Sequence, residues 1–335
     1  MDGLRGATGE ALPATGLHVV FLGTKGGPPP TPEATGISTA VVVDGRVYLV
    51  DVGRAAVTQY VRSGLQLRNL RGVFITHLHA DHVADYFNLF LLAGNGHPKH
   101  RDAIPDRVPV FGPGPAGGLP GGDWPTESPD SPTPGIRALT DLAAQAHAYS
   151  TNVFVRESGI RLTRDLADVT EIDVSATGAS ADDTHPDMAP LVVWEDADVR
   201  VSATLVPHGP VFPAFAYRID TPYGSVTLSG DTTYSANLER MAAGTDVLVH
   251  EAINVEGAAH LPEALREHLL EGHVEVQKVG GIAQRAGAKR LVLSHVGDLA
   301  HRIATPQRWE PWAQQGYDGP VHLARDLDIL TIAAG

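Results

Sequence analysis

Short apolar runs, each stopped by Gly, Pro or Asp, mark out the elements of this chain. Residues 17–22 read as a first strand, broken by Gly23-Thr24-Lys25-Gly26-Gly27-Pro28. That break has the glycines of a phosphate cradle but not the GxxxxGK[ST] order, so a plain turn is expected. Residues 38–43 and 46–51 form a hairpin across Asp44-Gly45, a type I′ signal, and 54–64 read as a helix closed by Gly64. Val73-Phe74-Ile75 is the end of a strand that runs into Thr76-His77-Leu78-His79-Ala80-Asp81-His82. An apolar-periodic segment over 83–92 then predicts a helix.

From 94 to 134 Gly and Pro dominate, and 111–134 is expected to form neither a long helix nor a central strand. The stretch reads as a surface insertion serving as a lid, an oligomer contact or a loose loop, with His97 and His100 solvated at its start. Apolar residues at helical spacing (Leu139, Leu142, Ala146, Tyr149, Val153) predict a helix over 137–157, and 181–190 is loop-like and carries His185. A strand over 199–206 ends in Pro207-His208-Gly209-Pro210. Strands 215–220 and 225–229 pair across Thr221-Pro222-Tyr223-Gly224, and the second delivers Gly230-Asp231-Thr232 ahead of a helix over 235–243. Strand 246–250 ends in His250-Glu251-Ala252. Helices over 261–270 and 274–286 flank Glu271-Gly272-His273, strand 290–293 ends in Ser294-His295, and short strands near Val321 and Leu330 close the chain.

The chemistry concentrates in 76–82. Imidazoles at i and i+2 on an extended backbone converge on one cation, while Asp81 and His82, past the bend, reach a second. Neutral imidazole and carboxylate suit borderline divalent ions such as zinc, and a chain of 335 residues without Cys has no thiolate site. A carboxylate at a strand end with a glycine beside it, as at Asp231, suits a ligand shared by two cations, although a helix N-cap is the simpler role for such a residue.

Composition narrows the partners. A net charge of −14 and a pI near 5.5 argue against nucleic acid, and only four of 25 basic residues are Lys. No stretch approaches the ~20 apolar residues that span a bilayer. Residues 1–16 hold a single Arg without the order of a secretory signal, so they read as a flexible lead to a cytoplasmic protein whose remaining residues, 17–335, form one domain.

His77, His79, Asp81 and His82 complete the HxHxDH signature, and here the sequence resembles the metallo-β-lactamase superfamily. The resemblance implies an α/β (α+β) fold, a four-layer αββα sandwich with two metals at one edge. It implies that His77, His79 and His208 hold one metal, with His185 as the reserve for His208, and that Asp81, His82 and His295 hold the other, with Asp231 bridging. The ions would be two Zn²⁺, with Mn²⁺ or Fe²⁺ as alternatives, sharing a hydroxide nucleophile whose parent water has its pKa lowered from 15.7 toward ~7. Asp51 then either braces the metal loop or is an ordinary turn residue, and the turn at Lys25 lies near the active-site rim, which makes Lys25 a candidate substrate contact.

His250-Glu251-Ala252, His273 22 residues after Glu251, and Leu293-Ser294-His295 resemble the ribonuclease Z and arylsulfatase-like branch. By that resemblance His273, oriented by Glu251, is the general acid, with Asp81 counted in the catalytic group as well as among the ligands; a helix-capping His273 stays open. The expected function is hydrolysis of a small-molecule ester, lactone, sulfate ester or phosphodiester, favoured by the acidic balance. A ribonuclease Z-like phosphodiesterase acting on RNA is the alternative. A di-iron redox protein, which typically has Glu at the place of His79, and a binding protein with a vestigial site fit less well. The resemblance is compatible with a homodimer. Phe212, Phe215, Tyr234, Trp309 and Trp312 are candidates for an apolar pocket or for core.

Overall fold

The computed structural model describes residues 5–6, 14–96, 102–119, 125–256 and 258–332. The chain first lays down β1 (Arg5–Gly6), β2 (Leu17–Gly23), β3 (Ser38–Val43), β4 (Arg46–Val50), β5 (Leu70–Phe74), β6 (Val108–Pro113) and β7 (Ala167–Ile172). It then builds β8 (Leu191–Glu195), β9 (Arg200–Leu205), β10 (Phe215–Thr221), β11 (Gly224–Leu228), β12 (Val247–Asn254), β13 (Leu291–Asp298) and β14 (Val321–Leu323), and returns to the first sheet with β15 (Asp328–Ile332). The two sheets run β1-β15-β2-β3-β4-β5-β6-β7 and β14-β13-β12-β11-β10-β9-β8.

The central strands of each sheet are covered on both faces, which is why they read as continuous apolar runs rather than alternating ones. In β2, Leu17, Val19 and Phe21 enter the layer between the sheets with Val201, Leu205, Phe215 and Tyr217. Val20 and Leu22 face the other way and pack with Tyr60, Tyr86 and Phe90. On the outer face of the second sheet, Leu248, Leu291 and Leu293 lie under the helix Val276–Ala286 and Trp309. Each such side chain contributes roughly 1.5–3 kcal/mol when fully buried, so both layers fix strand register strongly. The expected four-layer αββα sandwich is what forms.

Several elements differ from expectation. Val108–Pro113 is an interior strand, flanked by β5 and β7, so the Gly/Pro-rich stretch is not a surface insertion throughout. The strand tolerates its prolines because only Val110 and Phe111 share rungs with β5, and Pro109 and Pro113 fall outside them. His97 and His100 lie outside the described residues. The helix expected over 137–157 is two, Ile136–Ala146 and Ala148–Ser158, divided at His147. The segment after the metal motif breaks into the short helices Ala80–Val83 and Tyr86–Asn88 and a π-helical turn, Leu89–Ala93. The hairpin at Asp44-Gly45 is as expected, with φ of 47° and 77°. Among the described residues no helix is long and apolar enough to cross a membrane.

Candidate metal centre and active site

The residues of interest gather at one edge of the two sheets, on the turns that follow strands, on the helix Ala80–Val83 and within β12 and β13. The turn after β5 carries His77, Asp81 and His82 inward, all buried, with His79 half-buried just before the helix Ala80–Val83. Beneath it lies Asp51, at the end of β4 with φ 55°, a left-handed conformation that costs a non-glycine residue roughly 1–3 kcal/mol and persists only where surrounding bonds impose it. Those bonds are present: Asp51 accepts from the Thr76 backbone N–H (2.8 Å), the Thr76 hydroxyl (2.9 Å) and His82 Nδ1 (2.8 Å). Because the Thr76 hydroxyl donates to Asp51, it accepts from His77 Nδ1 at 3.1 Å, which leaves His77 Nε2 free to bind a cation. Asp51 is therefore a brace, the first of its two readings. Thr76 had no reading in the sequence, since its role depends on a partner 25 residues away.

The second sheet contributes the rest. The turn after β9 brings in His208, whose Nδ1 donates to the Gly272 carbonyl at 2.8 Å and whose Nε2 lies 3.2 Å from His79 Nδ1. A Cβ at position 272 would stand 3.1 Å from His208 Nδ1, so any side chain there would press on the ring. After β11, Gly230 (φ 59°) turns Asp231 inward at a point where a Cβ would strike the Phe215 carbonyl at 2.4 Å. His295, on β13, has φ 53° and lies 3.3 Å from Asp81 Oδ2. His185, the reserve ligand, is exposed beside Thr184 and joins neither group.

Two sets of donor atoms result, His77, His79, His208 and Asp231 in one and Asp81, His82 and His295 in the other, each within 4.8 Å. Asp231 stands between them. Its Oδ2 faces His77 Nε2 (4.0 Å) and His208 Nε2 (3.8 Å), and its Oδ1 faces His82 Nε2 (3.4 Å) and His295 Nδ1 (3.2 Å). His77 Nε2, Asp231 Oδ1 and His295 Nδ1 are buried without hydrogen-bond partners, an expensive arrangement unless cations satisfy them. The residues present thus fit metal ions.

The electrostatics agree. Burial pushes His77 down and His208 to about 3, so both are neutral, as ligands must be. Burial would raise Asp81 and Asp231, but His295 and His82 outweigh it, holding Asp81 at about 2 and Asp231 well below the carboxylate range. His82 is likewise desolvated, yet Asp231 and Asp51 on either side raise it well above the imidazole value.

Beside the clusters is a dyad. Glu251, buried within β12, accepts from the Val274 backbone N–H (2.7 Å) and pairs through Oε2 with His273 Nδ1 (3.1 Å). Burial alone would lower His273, but the Glu251 carboxylate raises it to about 9. Its ring stacks on His295 at 5.9 Å and meets His208 edge-on at 5.0 Å, so Nε2 is the nitrogen left for the cluster. Of the aromatic candidates, Phe215 belongs to the core between the sheets and Trp309 to the core beneath the helices, so neither lines a pocket. Tyr234 is exposed against Arg285, and Trp312 packs on Trp309 and Arg308.

Asp51→Asn is expected to keep the fold and weaken metal affinity by roughly 10- to 100-fold, since it removes the charge that orients His82 without touching a ligand. Competition with a chelator of known affinity measures this.

Facing sheets with clustered imidazoles and carboxylates at one edge define a metal-dependent hydrolase architecture. The chain belongs to the metallo-beta-lactamase superfamily, whose family model matches residues 34–295, and it is a metallo-hydrolase. It is similar to the ribonuclease Z of Mycobacterium avium, 29% identical over 318 residues that cover 95% of this chain and 99% of the relative. The ribonuclease Z of Mycobacterium marinum is 27% identical, with the same coverage. Among solved structures, the short form of human tRNase Z superposes with a TM-score of 0.60 at 20% identity, covering 94% of this chain and 99% of that one. The metallo-beta-lactamase fold protein YhfI of Bacillus subtilis gives 0.59 at 17% identity, covering 93% and 98%. The ribonuclease Z side of the expected resemblance is supported and the arylsulfatase side is not.

Proposed function

We propose that this metallo-hydrolase is a ribonuclease Z-like phosphodiesterase that uses two zinc ions held by His77, His79, His208, Asp81, His82, His295 and the shared Asp231. The observation that carries the reading is the His273–Glu251 dyad, set against the clusters in a chain whose ribonuclease Z relatives match it end to end. Bound divalent ions would supply a water activated at neutral pH and positive charge for the phosphoryl oxygens. The protein's own part is orientation and proton transfer. Thr76, Asp51 and the Gly272 carbonyl fix three imidazoles with the correct nitrogen inward. His273, held through Nδ1 by Glu251, keeps its proton on Nε2. As the bond from phosphorus to the leaving oxygen breaks, that oxygen takes the proton, and Glu251 stabilises the imidazolium until then.

Of the lead expectation from the sequence, a small-molecule ester, lactone, sulfate ester or phosphodiester, the first three bond types have less support. A small phosphodiester in place of RNA remains as a second reading, favoured by the net charge of −14, because affinity for a phosphate backbone grows with each basic contact. The test is turnover by the zinc-loaded protein on a tRNA transcript with single-stranded extensions, bis(4-nitrophenyl) phosphate, an aryl sulfate and an aryl acetate, with Asp231→Ala as blank. Cleavage of the transcript supports the first reading, and cleavage of the aryl diester alone supports the second. Turnover confined to the sulfate or the acetate overturns both.

A further inference from the structure

The turn between β2 and β3, whose Lys25 was a candidate substrate contact by resemblance, is pinned against the metal centre. Lys25 N–H donates to the Thr35 carbonyl (3.0 Å), Gly26 N–H to the Val296 carbonyl (3.1 Å) and Val296 N–H back to the Thr24 carbonyl (3.0 Å). Lys25 thereby forms isolated bridges to Gly36 on one side and to Val296, the neighbour of His295, on the other. Thr24 is held by Asp326 through both its backbone N–H and its hydroxyl. The fit to the centre is close: a Cβ on Gly26 would lie 3.0 Å from His295 Nδ1.

This rigid backbone presents a cation with no carboxylate partner among the described residues. Two other described lysines, Lys278 and Lys289, pair with Glu275 and Asp246. Lys25 is half-buried and forms no ion pair with a carboxylate among the described residues; its ammonium donates to the carbonyl of its own neighbour, Gly26. The charges that act on it are the Asp81 carboxylate, from the cluster, and the Arg54 guanidinium, which donates to the Ala34 carbonyl. A half-desolvated ammonium held this way is costly unless an anion completes it, and in a phosphodiesterase the anion that arrives at this edge is the substrate's own.

We propose that Lys25 binds a non-bridging oxygen of the substrate phosphodiester at an anion-accepting corner beside Asp81 and His295. The inference rests on the phosphodiesterase reading for its substrate, but the corner would recognise any tetrahedral oxyanion, so inorganic phosphate serves as probe. Lys25→Met and Lys25→Arg proteins are loaded with zinc, their metal content is measured, and phosphate binding is titrated by calorimetry beside steady-state kinetics on bis(4-nitrophenyl) phosphate.

Loss of a charge-assisted hydrogen bond predicts phosphate affinity weakened roughly 10- to 100-fold in Lys25→Met. Lys25→Arg should recover most of it, the metal content should equal that of wild type in both, and KM should rise more than kcat falls. Unchanged phosphate affinity in Lys25→Met, or loss of metal from it, overturns the proposal, the latter by making Lys25 a support for Asp81. Weakened phosphate binding in a protein that turns over no phosphodiester would leave Lys25 as an anion site and overturn the function instead.

Discussion

Asp231→Ala is expected to lose both metal occupancy and turnover, with activity falling at least about a thousandfold. Removing a group that merely orients a ligand costs roughly 10- to 100-fold, and Asp231 does more, because each of its oxygens faces a different donor set. Without it, His77 and His208 share no acceptor with His82 and His295, and two groups of like imidazoles face each other across a buried gap. The fold should survive, since Asp231 lies on a turn beyond β11 and belongs to none of the apolar clusters. Metal per chain by mass spectrometry, with a circular dichroism spectrum as the control for folding, is the measurement. A folded variant that keeps two equivalents and turns over within tenfold of wild type would remove Asp231 from the centre.

His273→Ala is expected to behave differently. Its side chain is at the rim, about one-seventh exposed, and is committed through Nδ1 to Glu251, so metal content should be unchanged. The rate should fall by roughly 10²–10⁴ for leaving groups of high pKa and scarcely at all for dinitrophenolate, which departs without a proton. A plot of log kcat/KM against leaving-group pKa should therefore steepen, and Glu251→Gln should steepen it less. Because a nitrogen of His273 also lies within 4.8 Å of donor atoms of Asp231 and His295, loss of a metal from His273→Ala would mark it as a ligand and end its assignment as the acid.

The legible part of this site was what a strand end displays. Three His and one Asp within 77–82 pointed to metal by themselves, and the resemblance they carry implied His208, Asp231 and His295, each after an apolar run, as partners; the fold brings these residues together in groups that could hold metal ions. What stayed open or was missed depends on register and on distant partners. Phe215 and Trp309 read as pocket or core, and the phase of β10 and of the helix Pro306–Ala313 places them in two different cores. The brace at Asp51 needs a left-handed φ and a fold that lays β4 against β5, neither of which a single strand announces. β6 hid behind two prolines whose harmlessness depends on which rungs its neighbours share. β7 does alternate, Ala167, Val169 and Ile172 buried against exposed Asp168 and Thr170, but it is a short signal amid polar sequence. The reacting bond was not legible at all, because donor sets of this kind serve many esters alike.

The donors are not drawn equally from the fold. His77, His79, Asp81 and His82 follow β5 of the first sheet, and His208, Asp231 and His295 lie on or just after strands of the second. A loaded centre would therefore be a clasp that closes one edge of the sandwich, while the opposite edge is tied by the Tyr223–Asp44 and Tyr48–Asp196 hydrogen bonds (3.2 and 2.8 Å) and the Arg46–Asp198 ion pair. Metal at about a thousand times its dissociation constant would add about 4 kcal/mol to the folded state, and nearly all of that would be felt where the two halves meet at the clasp. Stripped of metal, the protein should keep its strands and open like a book along that one edge, with amide exchange quickening at 76–83, 207–210 and 230–233 long before it does in β2 or β3.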